Sequence, residues 1–250
     1  MIASLILAVR FLTIVPVPGR EAGGRDALGQ AGWWFPVVGF ALGAVLVALD
    51  RVLALAFSPQ LSALLVLAVW KVTTGGLHLD GLADCLDGLG GHDRQRRLAI
   101  MRDSRIGAFG AIGLILYFLI AVAALAEMPL GPRARFLLLA PTTGRLAPLL
   151  IGRRFGAAGA EPGSGSEFLA ALSIWAGPVN LIAALVVGAW LLGMWGPVAT
   201  LASLLVVLAW SVFLASRFGG LTGDGLGSGV EIAELTMLLI GAALTYRGAV

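Results

Sequence analysis

Apolar runs close to the roughly 20 residues needed to cross a bilayer's hydrocarbon core recur along the whole of this 250-residue chain, separated by short polar gaps. Such a chain cannot hide its hydrophobic side chains in one water-soluble core. Hydrophobic residues make up 59% and charged residues 12%, and the mean hydropathy is +0.96, outside the range of soluble domains. The fold class read from this is all-α: a polytopic integral membrane protein in which residues 1–250 form a single membrane-embedded domain. About seven transmembrane helices are expected, over 33–57, 61–77, 106–126, 136–151, 168–193, 197–216 and 230–246. Residues 1–15 are too few for a comfortable span, are interrupted by Arg10 and end in Pro16-Val17-Pro18. No basic residue precedes this run and no small-residue cleavage site follows it, as a signal peptide would require. It reads as an interfacial or re-entrant helix.

The net charge is +3, yet the basic residues are scattered between apolar runs instead of forming the face a nucleic acid would need. Topology accounts for them better, because short cytoplasmic loops retain Lys and Arg during insertion. One side receives Arg20, Arg25, Arg94, Arg96, Arg97, Arg102, Arg105, Arg153, Arg154 and Arg217, and the other receives Arg51, Arg133, Arg135 and Arg247, ten against four. The loops around 18–32, 78–105, 152–167 and 217–229 are therefore expected on the cytoplasmic side. Arg10, Lys71 and Arg145 remain inside apolar segments. A charge at that depth costs about 2.5 to 3.5 kcal/mol on insertion scales, so each needs a partner, a wet cavity or a route to the interface.

The densest polar feature is residues 75–91, GGLHLDGLADCLDGLGG. Asp80, Asp84 and Asp87 are four and three residues apart, so a helix carries all three on one face. No Lys or Arg lies between Val72 and His92. Like charges so placed repel, and a divalent cation with oxygen preference, held by carboxylates together with substrate phosphates, resolves the repulsion. A solvated helix end is the plainer reading, but the neighbours are apolar. The glycines cost a helix up to about 1 kcal/mol each, which close backbone approach to a ligand or tight helix crossing would offset. The single cysteine, Cys85, excludes an internal disulfide and, placed between Asp84 and Asp87, is expected to be open to modification from the cytoplasmic side.

Residues 219–226, GGLTGDGL, match 75–82, GGLHLDGL, at six of eight positions, which puts Asp224 at the depth of Asp80. Ser228 and Glu231 have the spacing of a capping box; a functional role for Glu231 is the alternative. Glu234, one turn deeper, is a partner for Arg145 or Lys71, or a further metal-shell group. Between the acidic segments, Arg94, Arg97, Arg102 and Arg105 offer guanidinium donors to phosphate oxygens, with anchoring to anionic lipid as the other reading of the first cluster. Asp103 is a metal or substrate ligand, or a cap of the following helix. His78 is a substrate hydrogen-bond donor or a satisfied interfacial histidine.

The strings GGLHLDGLADCLDGLGG at 75–91, IMRDSRIGAFG at 100–110 and GGLTGDGLGSGVEIAE at 219–234, with FLTIVPVPGR at 11–20 and WWFPVVGFALGA at 33–44, resemble the cobalamin synthase family, the adenosylcobinamide-GDP ribazoletransferases. The resemblance spans nearly the whole chain in order. It implies a catalytic domain in the bacterial inner membrane with its site facing the cytoplasm, dependent on Mg²⁺. The implied reaction joins adenosylcobinamide-GDP to α-ribazole or its 5′-phosphate and releases GMP. Asp80, Asp84 and Asp87 are then the metal ligands, Asp103 and Asp224 further ligands or the base, and His78, Arg102 and Arg105 substrate-binding groups. The chemistry is similar in kind to that of CDP-alcohol phosphotransferases. Asp84-Cys85-Leu86-Asp87-Gly88 matches the DxxDG opening of their signature, but Leu89 to His92 do not supply its Ala-Arg pair. The lipid bilayer is the other partner, nucleic acid is excluded, and assembly into a homo-oligomer is left open. A secondary transporter for a metal ion or a carboxylate, with glycine-broken helices around intramembrane acids, is the rival reading. Its sites would lie near the midplane, whereas these acids gather at one face.

Overall fold

The computed structural model describes residues 1–24, 26–155, 158 and 164–250; Arg25 and residues 156, 157 and 159–163 of the 152–167 loop lie outside the described residues. Among these the chain is helical and carries no β-sheet. In order come α1 (Ile2–Leu12), α2 (Ala27–Ala31), α3 (Phe35–Leu53), α4 (Pro59–Thr73), α5 (Leu77–Leu89), α6 (Arg94–Met101), α7 (Ala108–Glu127), α8 (Leu130–Ile151), α9 (Ser164–Ala171), α10 (Ala176–Leu192), α11 (Trp195–Phe218) and α12 (Gly223–Tyr246). Local chemistry sets several starts. Ser58 accepts a hydrogen bond from the Leu61 N–H with Pro59 as the first residue of α4, Asp93 caps α6 through the Arg96 N–H, and Thr222 caps α12 through the Gly225 N–H. Each satisfies a donor that the first helical turn leaves free.

The middle of the bundle is α8. From Phe136 to Leu149 every residue except Leu138 is buried. Helix α3 lies against it because Gly39 and Gly43 have no side chain; a Cβ at either would sit 2.4 or 2.5 Å from the carbonyl oxygens of Pro141 and Leu137. On the other flank Gly144 of α8 faces Glu234, and Gly241 of α12 faces Phe136. This is small-residue packing of the kind that brings membrane helices together. The outer helices expose rows of large apolar residues, among them Ile112, Ile115 and Leu119 on α7, Ile182, Val186 and Trp190 on α10, and Leu201, Leu205 and Val212 on α11. Apolar outward faces around a core containing ion pairs are what a bilayer solvent selects.

By length and composition four helical stretches can cross a membrane: Ala27–Leu53, α7, α11 and α12. A fifth is added if α4 and α5, bent by 91°, count as one broken span. The expected seven is not confirmed. Helix α8 is long enough at 22 residues, but Arg133, Arg135 and Arg145 lower its hydropathy, and neighbours enclose it. The run at 168–193 divides into α9 and the 17-residue α10. The last span begins at Gly223 instead of 230, and the stretch expected as a cytoplasmic loop over 78–105 contains α5 and α6. Helix α1 has 11 residues, about 16 Å at 1.5 Å per residue, too short to cross alone, as the sequence reading had it.

The charges left inside apolar segments all find partners. Arg10 donates to the carbonyls of Val17 and Gly19 and to Glu21. Lys71 Nζ lies 2.5 Å from Glu231 and 2.6 Å from Glu234, and Arg145 pairs with the other oxygen of Glu234. A pair the sequence reading missed, Asp50 with Arg133 at 3.0 Å, is also buried, and ties α3 to α8. Removing one partner of such a pair costs about 3 to 5 kcal/mol, whereas an apolar replacement of both is often neutral. Asp50→Asn should therefore lower the thermal midpoint of the detergent-solubilised protein, and Asp50→Leu combined with Arg133→Met should recover most of the loss. Equal midpoints for wild type and Asp50→Asn would show that the pair contributes nothing.

Candidate active site

Helix α4 ends on Gly75 and Gly76, whose φ angles of +63° and +68° belong to the left-handed region that glycine enters without steric cost. That break turns the chain by 91° into α5. On α5 the spacing does what the sequence requires: Asp80, Asp84 and Asp87 lie along one side, while His78, Gly81, Leu82, Cys85 and Gly88 are buried on the other. Gly81 meets the start of α12 so closely that a Cβ would lie 2.8 Å from the Asp224 carbonyl oxygen. The echo between 75–82 and 219–226 is thus structural. Gly219 and Gly220, with φ of +75° and +149°, link α11 to α12 as Gly75 and Gly76 link α4 to α5, and the two Asp-Gly steps pack together.

A recess of about 660 Å³ opens on the Asp80 and Asp84 side of α5, with Asp80, Asp84, Arg102, Asp103, Ser104 and Arg105 in its lining and no residue of α12. The charges of Asp80, Asp224 and Asp87 all act on Asp84. Among the described residues Asp80, Asp84 and Asp224 have no cationic partner, and no three His, Cys, Asp or Glu side chains stand close enough to hold a metal ion as they are placed. Asp103 is differently placed. Arg105 grips it through Nε at 3.0 Å and Nη2 at 2.7 Å, and the Arg105 N–H adds a third bond. These contacts, the side-chain bonds first, hold its carboxyl at about 2. Arg105 already has its carboxylate, while Arg102 is exposed and its guanidinium makes no hydrogen bond among the described residues.

Asp87 points elsewhere. Its two oxygens accept the Gly107 and Gly110 N–H groups, each at 2.8 Å, and so complete the first turn of α7 from outside that helix. Neither Asp103 nor Ser104 caps α7. His78 lies across α5 from the recess, beside Arg145 and Asp224 in a separate pocket. Cys85 is fully buried in an apolar cluster with Met101, Leu214 and Phe218, so the expectation of an accessible thiol fails: the residue between Asp84 and Asp87 faces α11. Arg97 donates to the Arg217 carbonyl at 3.1 Å, and the Arg94 guanidinium lies over Gly219. Both are thereby held at the carbonyl end of α11, where the helix dipole favours cations. Glu231 is no capping-box residue, because α12 starts eight residues earlier and Glu231 holds Lys71.

The chain matches the family model described as Cobalamin-5-phosphate synthase over residues 4–242. It is 36% identical over 234 residues to a protein of Brevibacillus brevis named adenosylcobinamide-GDP ribazoletransferase, covering 93% of this chain and 95% of that protein. A protein of the same name from Geotalea daltonii is 35% identical over 251 residues, covering 99% and 100%. Another from Novosphingobium aromaticivorans is 36% identical over 249 residues, covering 96% of each. No solved structure matches the chain.

The two roles seen on α5 can be separated. A hydrogen bond to a charged group contributes about 1.5 to 3 kcal/mol, so Asp87→Asn should speed amide exchange at Gly107 and Gly110 by about tenfold or more, whereas Asp84→Asn should leave those amides protected. Equal protection in both variants would remove Asp87 as the anchor of α7.

Proposed function

Because the chain belongs to the cobalamin-5-phosphate synthase family, we propose that it is an adenosylcobinamide-GDP ribazoletransferase working at the recess between α5 and the 102–106 segment. The hydroxyl oxygen of α-ribazole, or of its 5′-phosphate, attacks the phosphorus attached to the corrinoid. The bond from that phosphorus to the bridging oxygen breaks, GMP leaves with the bridging oxygen, and the hydroxyl proton passes to a carboxylate. The observation that carries the reading is the unpaired state of Asp80 and Asp84 in one recess with Arg102, and of Asp224 on the segment packed against α5, in a chain that pairs its deeper charges. Such chemistry asks little covalent work of the protein, so orientation and charge complementarity dominate.

Mg²⁺ belongs to the same proposal. Asp80, Asp84 and Asp224 would hold it, and their hard oxygens and uncompensated charge suit the ion, although their side chains must swing inward to share one site. When bound, it would neutralise the diphosphate and the departing phosphate. Asp87 and Asp103 could join only by giving up α7 and Arg105, which leaves them as anchors of the recess walls. Arg102 is free to take a phosphate oxygen, and Asp80, Asp84 or Asp224 supplies the proton acceptor. The transporter reading loses its footing, because the deep carboxylates Glu231 and Glu234 are closed onto Lys71 and Arg145.

Purified protein given adenosylcobinamide-GDP, α-ribazole and Mg²⁺ should release one GMP per corrinoid product. EDTA should stop it, Mn²⁺ should restore it, and Ca²⁺ should restore it poorly because its longer, looser coordination misplaces the reacting groups. Asp80→Asn and Asp84→Asn should lose turnover while remaining folded. No GMP above a protein-free control would reject the activity, and full turnover in EDTA would reject the metal.

We also propose that the recess faces the cytoplasm, on the excess of Arg around it. Cys85 is buried, so the probe must be introduced: in a Cys85→Ser background, Ser104→Cys should react with an impermeant maleimide in inside-out vesicles, and Gln60→Cys, exposed in the first turn of α4, should react in right-side-out vesicles. The opposite pattern would invert the topology.

A further inference from the structure

On the far side of α5 from the acidic recess is a smaller cavity of about 140 Å³. Three phenyl rings border it in a stacked ladder, Phe11 on Phe35 with centroids 5.7 Å apart and Phe35 on Phe168 at 5.3 Å. The opposite wall carries His78, Arg145 and Asp224. Two of these hold buried nitrogens without a hydrogen-bond partner among the described residues, His78 Nδ1 and Arg145 Nε. Such an atom costs about 1 to 3 kcal/mol, and in native proteins it has a reason. Gly227 keeps the α12 side of the wall low; even a Cβ there would be 3.6 Å from His78.

Two residues connect this cavity to the reaction. Leu77 lines both spaces. Asp224 lines the cavity, and its charge is felt by Asp84 in the recess. A group seated among the phenyl rings would therefore present whatever it carries to the carboxylates.

We propose that this cavity seats the base of the acceptor nucleoside, a flat and largely apolar bicyclic heteroaromatic with one free ring nitrogen, while its ribose runs past Asp224 to the acidic recess. The inference rests on the ribazoletransferase reading. Size limits the occupant: an apolar cavity of about 150 Å³ takes a benzene-sized ring, and a slightly larger bicycle fits a cavity open at one end, whereas a corrin ring does not. Polarity limits it further. A benzimidazole whose other nitrogen bears the sugar has a single acceptor, matching the few unpartnered N–H groups. Guanine, the base of the leaving nucleotide, would set several donors and acceptors against phenyl and leucine side chains and leave them unpaired, which is costly. The leaving nucleotide is accordingly placed on the recess side of α5, and the acceptor on this side.

Binding and turnover test this separately on protein in lipid nanodiscs. Calorimetry with α-ribazole alone, with neither metal nor corrinoid, should give saturable binding that GMP does not displace. In steady state, Gly227→Leu, which fills the cavity, and Phe11→Ala, which removes one ring of the ladder, should each raise KM for α-ribazole on the order of tenfold or more and leave KM for the corrinoid diphosphate unchanged. Displacement by GMP, absence of saturable nucleoside binding, or an unchanged nucleoside KM in either folded variant would overturn the assignment while GMP release continued to support the activity. Nucleoside binding without any GMP release would support the seat and reject the activity.

Discussion

Four charges buried between three helices organise this protein. Lys71 on α4 and Arg145 on α8 close onto Glu231 and Glu234 on α12, and Lys71 also lies over the rings of Trp70 and Tyr117. In a bilayer any one of them alone is expensive, so the helices that carry them are stable only together. The set is balanced, two positive against two negative. It also fixes the register of what lies above it. Asp224 is seven residues before Glu231, two helical turns along the same face of α12, and Lys71 is one turn before the Gly75–Gly76 break. The neutral set at depth thereby holds in place the two segments that carry the uncompensated carboxylates nearer the surface.

The glycines convert this frame into a site. Gly75 and Gly76 end α4 and turn α5 across it, and Gly81 lets α5 rest directly on the Asp224 backbone. With an alanine at 81 the two backbones would have to part. The carboxylates would separate with them, and the recess and the phenyl-lined cavity would no longer meet at α5. The acids then divide by task. Those whose lone pairs are taken by α7 or Arg105 hold the walls, and those without partners are left for the substrate.

Much of this could be read from the sequence. The common face of Asp80, Asp84 and Asp87 follows from helical spacing alone, and the depth shared by Asp80 and Asp224 follows from two similar strings. Glu234 as the partner of Arg145 or Lys71 followed from the cost of an unpaired charge in lipid. The rest depended on facts that local pattern does not hold. Gly75-Gly76 is compatible with a tight crossing or with a left-handed break, and only the bend distinguishes them. Cys85 sits between two site aspartates in the chain, but a helix sends it to the other side. Asp87 found its partners 20 and 23 residues away, where Gly107 and Gly110 leave backbone donors free, and the pairing of Asp50 with Arg133 spans 83 residues. The count of seven spans is not confirmed for a related reason: α8 is largely enclosed by other helices and so can bury two arginines, Arg133 and Arg145, that a lipid-facing helix could not.

The central claim is that the diphosphate is handled in the recess between α5 and the 102–106 segment. It is tested most directly by a structure of the protein in nanodiscs with Mg²⁺ and a corrinoid-guanosine diphosphate analogue whose bridging oxygen is replaced by a methylene. The account predicts both phosphorus atoms in the recess, within reach of Asp80, Asp84 and Arg102, with Asp224 on the acceptor side. Phosphates bound elsewhere, with those carboxylates still facing only water, would contradict it.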